Sequence, residues 1–120
     1  MSERKISETL LDFAQPLLEC VPENLPPQRL EEYLRLPITI WNAVILDELG
    51  TMPGAVAQVR SRVERAGNTI QIAVVHSMIE RKRTCFGSDH RLIGRHWVDV
   101  DSSGTIQVRA EARLPRSRAT

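Results

Sequence analysis

The stretch from Leu92 to Leu114 constrains the fold most, because small or apolar residues alternate with polar ones on both sides of a short turn. A period of two is typical of β-strands, whose successive side chains point to opposite faces. A three-residue loop, Ser102-Ser103-Gly104, places Val100 opposite Ile106 and Val98 opposite Val108. Such loops commonly end in a residue with positive φ, which glycine adopts easily. The sequence therefore predicts an antiparallel hairpin with strands at about 92–100 and 105–114.

This register gives the hairpin two different faces. The inner face is small or apolar apart from His96. We expect it to pack on the rest of the chain, since an isolated hairpin is only marginally stable in water. The pairs expected at the open end are Gly94 with Ala112, Ile93 with Arg113 and Leu92 with Leu114.

The outer face carries the residues that we predict to be an interaction surface. They are Arg95, Trp97, Arg109 and Arg113. Trp97 is expected opposite Arg109, where the guanidinium can stack on the indole, and Arg95 is expected opposite Glu111. The alternative interpretation is a solvated sheet face with one large aromatic residue.

Residues 1–90 carry the spacing of helices. Apolar residues recur at helical intervals in four or five segments, and Pro16 and Pro37 are expected to bend or end two of them. Thr51 and Asn68 are candidate N-caps of the later helices. For two stretches, the sequence pattern is compatible with either a helix or a strand. They are Ile38–Leu49, which is apolar nearly all round, and Thr69–Val75, which begins with β-branched residues.

The predicted fold class is α+β and mainly α, a bundle of four to five helices with a C-terminal antiparallel β-hairpin. A chain of 120 residues is long enough for a single domain with one core. Within that domain we expect residues 1–90 to be helical, 91–114 to form the hairpin and 115–120 to be a frayed tail.

Composition points to a cytoplasmic protein without a membrane segment. No apolar run has the length of a membrane span, and no basic segment followed by an apolar stretch marks a signal peptide. Cys20 and Cys85 are too few for a disulfide framework, and we expect both to be reduced thiols.

Charge is distributed unevenly along the chain. Residues 1–60 hold five basic and nine acidic residues, a net charge of −4, whereas residues 61–120 hold eleven and six, a net charge of +5. This asymmetry suggests either an acidic protein partner for the second half or packing of the two halves against each other, and it can also pair two copies head to tail. A candidate basic patch comprises Arg81, Lys82, Arg83 and Arg91. Weak nucleic-acid binding by this half is the alternative function, although the chain has no motif of a known nucleic-acid reader.

The sequence predicts no catalytic residue, no cofactor and no metal. Glycines are scattered singly rather than in a phosphate-binding loop, and Cys85, His90, His96 and Asp99 do not have the spacing of a metal site. A second alternative is an enzyme or ligand-binding protein with a groove near the helix–hairpin junction. The residues suggested for that groove are Trp41, Asn42, His76 and Cys85.

The leading hypothesis is a small, non-enzymatic interaction or regulatory module of a bacterial cytoplasm. We expect it to be a homodimer that makes its contact through the hairpin edge and the outer face around Trp97.

Overall fold

The computed structural model describes residues 5–19 and 25–113, which form four helices and a C-terminal hairpin. The helices are α1 (Ile6–Leu18), α2 (Pro27–Glu48), α3 (Ala55–Ala66) and α4 (Thr69–Cys85). The strands are β1 (Leu92–Val100) and β2 (Ile106–Arg113), paired antiparallel. The mainly helical α+β fold is therefore confirmed. The predicted tail at 115–120 and the pairing partner Leu114 lie outside the described residues.

The longest helix, α2, continues through Pro37, so of the two predicted outcomes, a bend or an end, the helix does not end there. A proline inside a helix removes one backbone hydrogen bond. Here the proline itself and most side chains that follow it on α2 are buried, because α2 packs against all three other helices and β1. This burial outweighs the lost hydrogen bond, and the stretch from Ile38 is helical up to Glu48. Helix α1 likewise continues past Pro16.

The N-cap predicted for α4 is correct, whereas the one predicted for α3 is not. Asn68 caps α4 as predicted, since its side-chain oxygen accepts a hydrogen bond from the Gln71 N–H at 3.0 Å. Of the two alternatives for Thr69–Val75, the structure has the helix, since α4 is helical from Thr69. Helix α3 begins after Gly54 and is not capped by Thr51. The Asp47 carboxylate on α2 instead accepts hydrogen bonds from the N–H groups of Gly54 and Val56.

The hairpin has the predicted three-residue loop and, next to it, the predicted register. Val100 pairs with Ile106, Val98 with Val108 and His96 with Ala110. Gly104 has a φ of +86°, as the loop requires. The Asp101 carboxylate holds the turn by accepting hydrogen bonds from the N–H groups of Ser103 and Thr105, both at 2.9 Å.

Toward the open end, the predicted register is wrong by one residue, because a β-bulge lies at Gly94. Ile93 pairs with Ala112 and Leu92 with Arg113, and not with the partners expected from strict alternation. The extra residue moves Ile93 from the outer to the inner face, where it is buried beside Leu92. The bulge thereby adds an apolar side chain to the contact with the helices.

Side chains of α2 complete the edge of β1 that faces away from β2. Ile93 donates its N–H to Asn42 Oδ1 at 2.8 Å and accepts a hydrogen bond from Asn42 Nδ2 at 3.0 Å. Farther along, Val98 donates its N–H to Glu31 Oε1 at 2.7 Å. His96 Nε2 donates to the Glu31 carbonyl at 3.0 Å. The side chains of one helix thus take the place of a third strand.

Asn42→Leu tests this arrangement, because leucine has a similar size but cannot form either hydrogen bond with Ile93. We expect the free energy of unfolding to fall by about 2–4 kcal/mol, since a backbone donor and an acceptor are left unpaired. Urea unfolding followed by circular dichroism measures the change.

The matched control is Thr39→Val, also on α2, whose exposed hydroxyl only donates back to the Arg35 carbonyl. Its effect should stay within about 0.5 kcal/mol. Equal effects of the two substitutions would contradict the role given to Asn42.

Candidate functional site

The outer face of the hairpin forms a connected set of charged and polar contacts around Trp97. Trp97 is half-buried, and its indole N–H donates to Asp99 Oδ2 at 3.2 Å. The Arg95 guanidinium lies over the indole at 5.4 Å from the ring centroid. Arg109, which pairs with Trp97 across the ladder, contacts Asp99 at 3.5 Å and donates to Gln107 Oε1 at 2.7 Å.

These contacts alter the predicted role of the arginines. We expected Arg109 to stack on Trp97, but the guanidinium of Arg95 lies over the indole instead. The Arg109 guanidinium contacts the side chains of Asp99 and Gln107, which hold it away from the ring. Arg113 is exposed at the open end of the hairpin, opposite Leu92. Three of the four predicted surface residues therefore lie together on this face, and Arg113 extends it along β2.

The edge of β2 that faces away from β1 is the second feature of the hairpin. The N–H of Asp101 donates to the Thr105 carbonyl at 3.0 Å, so these two residues direct their backbone groups toward each other. Orientations alternate along an antiparallel ladder, and Ile106, Val108 and Ala110 therefore direct theirs outward. Within the described part of the chain, no hydrogen bond satisfies these outward groups.

The hairpin also extends beyond the helices at its turn. Val98, Val108 and Ala110 pack against the core, but Val100 and Ile106 are 52% and 42% exposed. The inner face next to the turn is therefore an apolar surface without a cover from the described residues.

The four residues of the predicted basic patch do not form one cationic surface. Arg81 contacts Asp12 at 3.2 Å, Arg83 contacts Glu80 at 3.6 Å, and Lys82 is buried with only 1% of its surface exposed. Arg91 forms two close contacts with Asp89. Side-chain carboxylates thus neutralise the arginines locally, which reduces what this region offers to a polyanion.

Lys82 is held inside an aromatic cluster at the end of α4. Its Nζ donates to the carbonyls of Phe86 at 2.6 Å and Asp89 at 2.8 Å, and it lies 4.2 Å from the ring centroid of Trp41. Phe13, Trp41 and Phe86 contact one another edge to face. Burial lowers the pKa of Lys82, and the carboxylates of Asp89 and Glu48 counteract part of this effect. No pattern in the sequence indicates that this lysine is internal.

Asp89 and Arg91 fix the connection between α4 and β1. Arg91 donates its backbone N–H and its Nε to Asp89 Oδ1, and its Nη2 to Oδ2 at 2.6 Å. Burial by itself would raise the pKa of Asp89, but the hydrogen bonds from Arg91 and the charges of Arg91 and Lys82 lower it overall. Asp89 therefore both accepts a hydrogen bond from a backbone N–H and pairs with the side chain of Arg91.

A cleft of about 580 Å³ opens beside this connection. It is lined by Thr9, Asp12, Arg81, Cys85, Phe86, Ser88, Asp89 and Arg91. Its two arginines are paired with its two aspartates, so the cleft presents no strong net charge.

The residues suggested for a ligand groove are not brought together. Trp41 is fully buried, Asn42 is bound to Ile93, and His76 faces Glu64 of α3 at 3.8 Å. Cys85 is exposed at the end of α4, in the cleft described above. Among the described residues, no group of three or more His, Cys, Asp or Glu side chains could hold a metal ion.

Comparison with protein families, with curated proteins and with solved structures finds no match to this chain. Among residues 5–19 and 25–113, none of the helices combines the length and the apolar character needed to cross a bilayer.

The pH dependence of stability follows from Asp89. Its pKa is lower in the folded chain than the ordinary value of 3.8, so its contribution is complete above that value and is lost as the pH falls through the lower, folded pKa. We expect Asp89→Asn to be less stable than the natural chain at pH 7. The difference should shrink as the pH falls below 3.8. Urea midpoints measured from pH 7 to pH 2 test this, and a difference that stays constant over the whole range would contradict it.

Proposed function

We propose that the chain is a small self-associating interaction module that makes its main contact through the outer edge of β2. The observation that carries this proposal is the contrast between the two edges of the hairpin. Asn42 and Glu31 occupy the edge of β1, whereas the outward groups of β2 have no partner among the described residues. A strand edge in this state is a template for pairing with another strand.

The surroundings of the edge support the same function. Most side chains of β2 are exposed, and the apolar pair Val100 and Ile106 at the turn is available to a partner. On the outer face Arg109 contacts Asp99 at 3.5 Å, so a partner at the edge does not meet this arginine as an isolated charge. An interaction module needs such a preformed surface rather than a set of reactive groups.

Amide hydrogen exchange combined with light scattering tests the proposal on the natural chain. The mass should rise from 13.6 kDa toward twice that value with increasing concentration. The amides of Ile106, Val108 and Ala110 should exchange more slowly in the same range, because pairing would protect them.

The internal control is the pair Ser102 and Ser103 in the loop, whose amides should exchange at a rate independent of concentration. A mass of 13.6 kDa up to about 0.5 mM, well above the dissociation constants of specific complexes, would refute self-association. Dimerisation without protection of the three β2 amides would place the contact elsewhere.

A further inference from the structure

We infer that the partner of β2 is the β2 strand of a second copy, paired antiparallel about a two-fold axis at Ala110. This inference rests on the proposed function and specifies its partner and register. It follows from the direction of the backbone groups and from the order of charges along the strand.

Backbone geometry limits where such an axis can lie. When the axis passes through an even-numbered residue of β2, even-numbered residues of the two copies face each other. Their backbone N–H and C=O groups point outward, so these pairs are hydrogen-bonded. With the axis at Ala110, this residue faces its own equivalent. Val108 then faces Ala112 of the partner subunit, and the reverse pair forms by symmetry. All of these residues have even numbers, so every pair can exchange two backbone hydrogen bonds.

The charges on the outer side of β2 favour this register. Around Ala110 the sequence reads Gln107-Val108-Arg109-Ala110-Glu111-Ala112-Arg113. The two-fold axis places Arg109 opposite Glu111 of the partner subunit, and this pair occurs twice. It also places Gln107 opposite Arg113 of the partner subunit. Opposite charges that face each other across strands stabilise pairing, whereas like charges oppose it.

The neighbouring registers either lack this complementarity or, with an axis at Ala112, oppose Glu111 to Arg113 of the partner subunit but leave most of the strand unpaired. An axis at Arg109 or at Glu111 sets like charges directly opposite each other. An axis at Val108 pairs Arg109 with Gln107 of the partner subunit and forms no ion pair. An axis at Ala112 uses only three residues of β2, which ends at Arg113. Among these positions, an axis at Ala110 therefore both sets opposite charges against each other and pairs most of the strand.

The resulting assembly is a four-stranded antiparallel sheet with β1 strands at its two ends. Those ends are already occupied by Asn42 and Glu31 of α2. Growth of the sheet therefore stops at two copies, and the assembly is a closed dimer rather than a filament.

Charge reversal on β2 tests the register. Arg109→Glu sets two pairs of acidic side chains across the axis, and Glu111→Arg sets two pairs of basic ones. We expect each variant alone to dimerise at least about tenfold more weakly than the natural chain. Mixed in equal amounts, the two variants should form a heterodimer at least as tightly as the natural homodimer, because both pairs across the axis are then opposite in charge.

Sedimentation velocity of the natural chain, of each variant and of the mixture provides the measurement, with one variant fluorescently labelled to identify the heterodimer. The matched control is Arg65→Glu, a reversal of an exposed charge on α3, which packs against α2 and α4 rather than the hairpin and should leave dimerisation unchanged. Restored association in the mixture also excludes misfolding as the cause of the single-variant effects, including any due to the contact between Arg109 and Asp99.

The outcomes separate the inference from the proposed function. A natural chain that stays monomeric at every concentration overturns both. A natural dimer that is unaffected by the two reversals, or a mixture that does not associate, overturns the register at Ala110 and leaves the self-associating module in place.

Discussion

The attachment of β1 to α2 through Trp41 and Asn42 is the interaction on which the rest of the structure depends. Trp41 is fully buried, and its indole N–H donates to the Arg91 carbonyl at 2.6 Å, immediately before the strand begins. One residue later, Asn42 binds both backbone groups of Ile93. Two adjacent side chains in the middle of the longest helix thus set the position and direction of the hairpin.

The same tryptophan connects the hairpin to the end of α4. Its ring carries the Lys82 ammonium on one side and contacts Phe13 and Phe86 at their edges. A buried ammonium needs acceptors for its N–H groups and a favourable electrostatic environment. Here two carbonyls accept its hydrogen bonds and an aromatic face stabilises its charge. Because Lys82 binds the carbonyls of Phe86 and Asp89, it also shapes the turn that leads into β1. Burying this charge gives the junction a defined geometry.

A consequence for interaction is that the two strands of the hairpin are unequal. The edge of β1 is used inside the chain, and β2 retains an edge at which another strand can pair. Four arginines of the second half contact carboxylates of the same molecule, including Asp12 in α1. The excess of positive charge in that half is therefore not gathered into one binding surface. Backbone pairing at β2, rather than net charge, is the feature that favours an interaction.

Local patterns were sufficient to predict several elements. Alternating residues and Gly104 predicted the loop and the register up to Arg95, because pleat and turn chemistry act over a few residues. The Asn68 cap was also predicted from local sequence, since a cap involves only the first turn of its helix. The outer-face residues Arg95, Trp97 and Arg109 were identified from the register, but their individual contacts depend on side-chain geometry that no spacing specifies.

By itself, the sequence determined the mainly helical class, the hairpin with its loop and which face of the hairpin is apolar, since these follow from periodicity and turn residues. Tertiary structure decided the features that join distant segments. It kept α2 helical through Pro37 by burying it, inserted the bulge at Gly94 so that Ile93 could face the helices, and enclosed Lys82 against Trp41. Among the described residues it also completed the edge of β1 and not that of β2, through side chains that lie more than fifty residues away from Ile93 in the chain. The physical reason is that burial and long-range hydrogen bonding depend on which surfaces meet, and a local pattern does not contain that information.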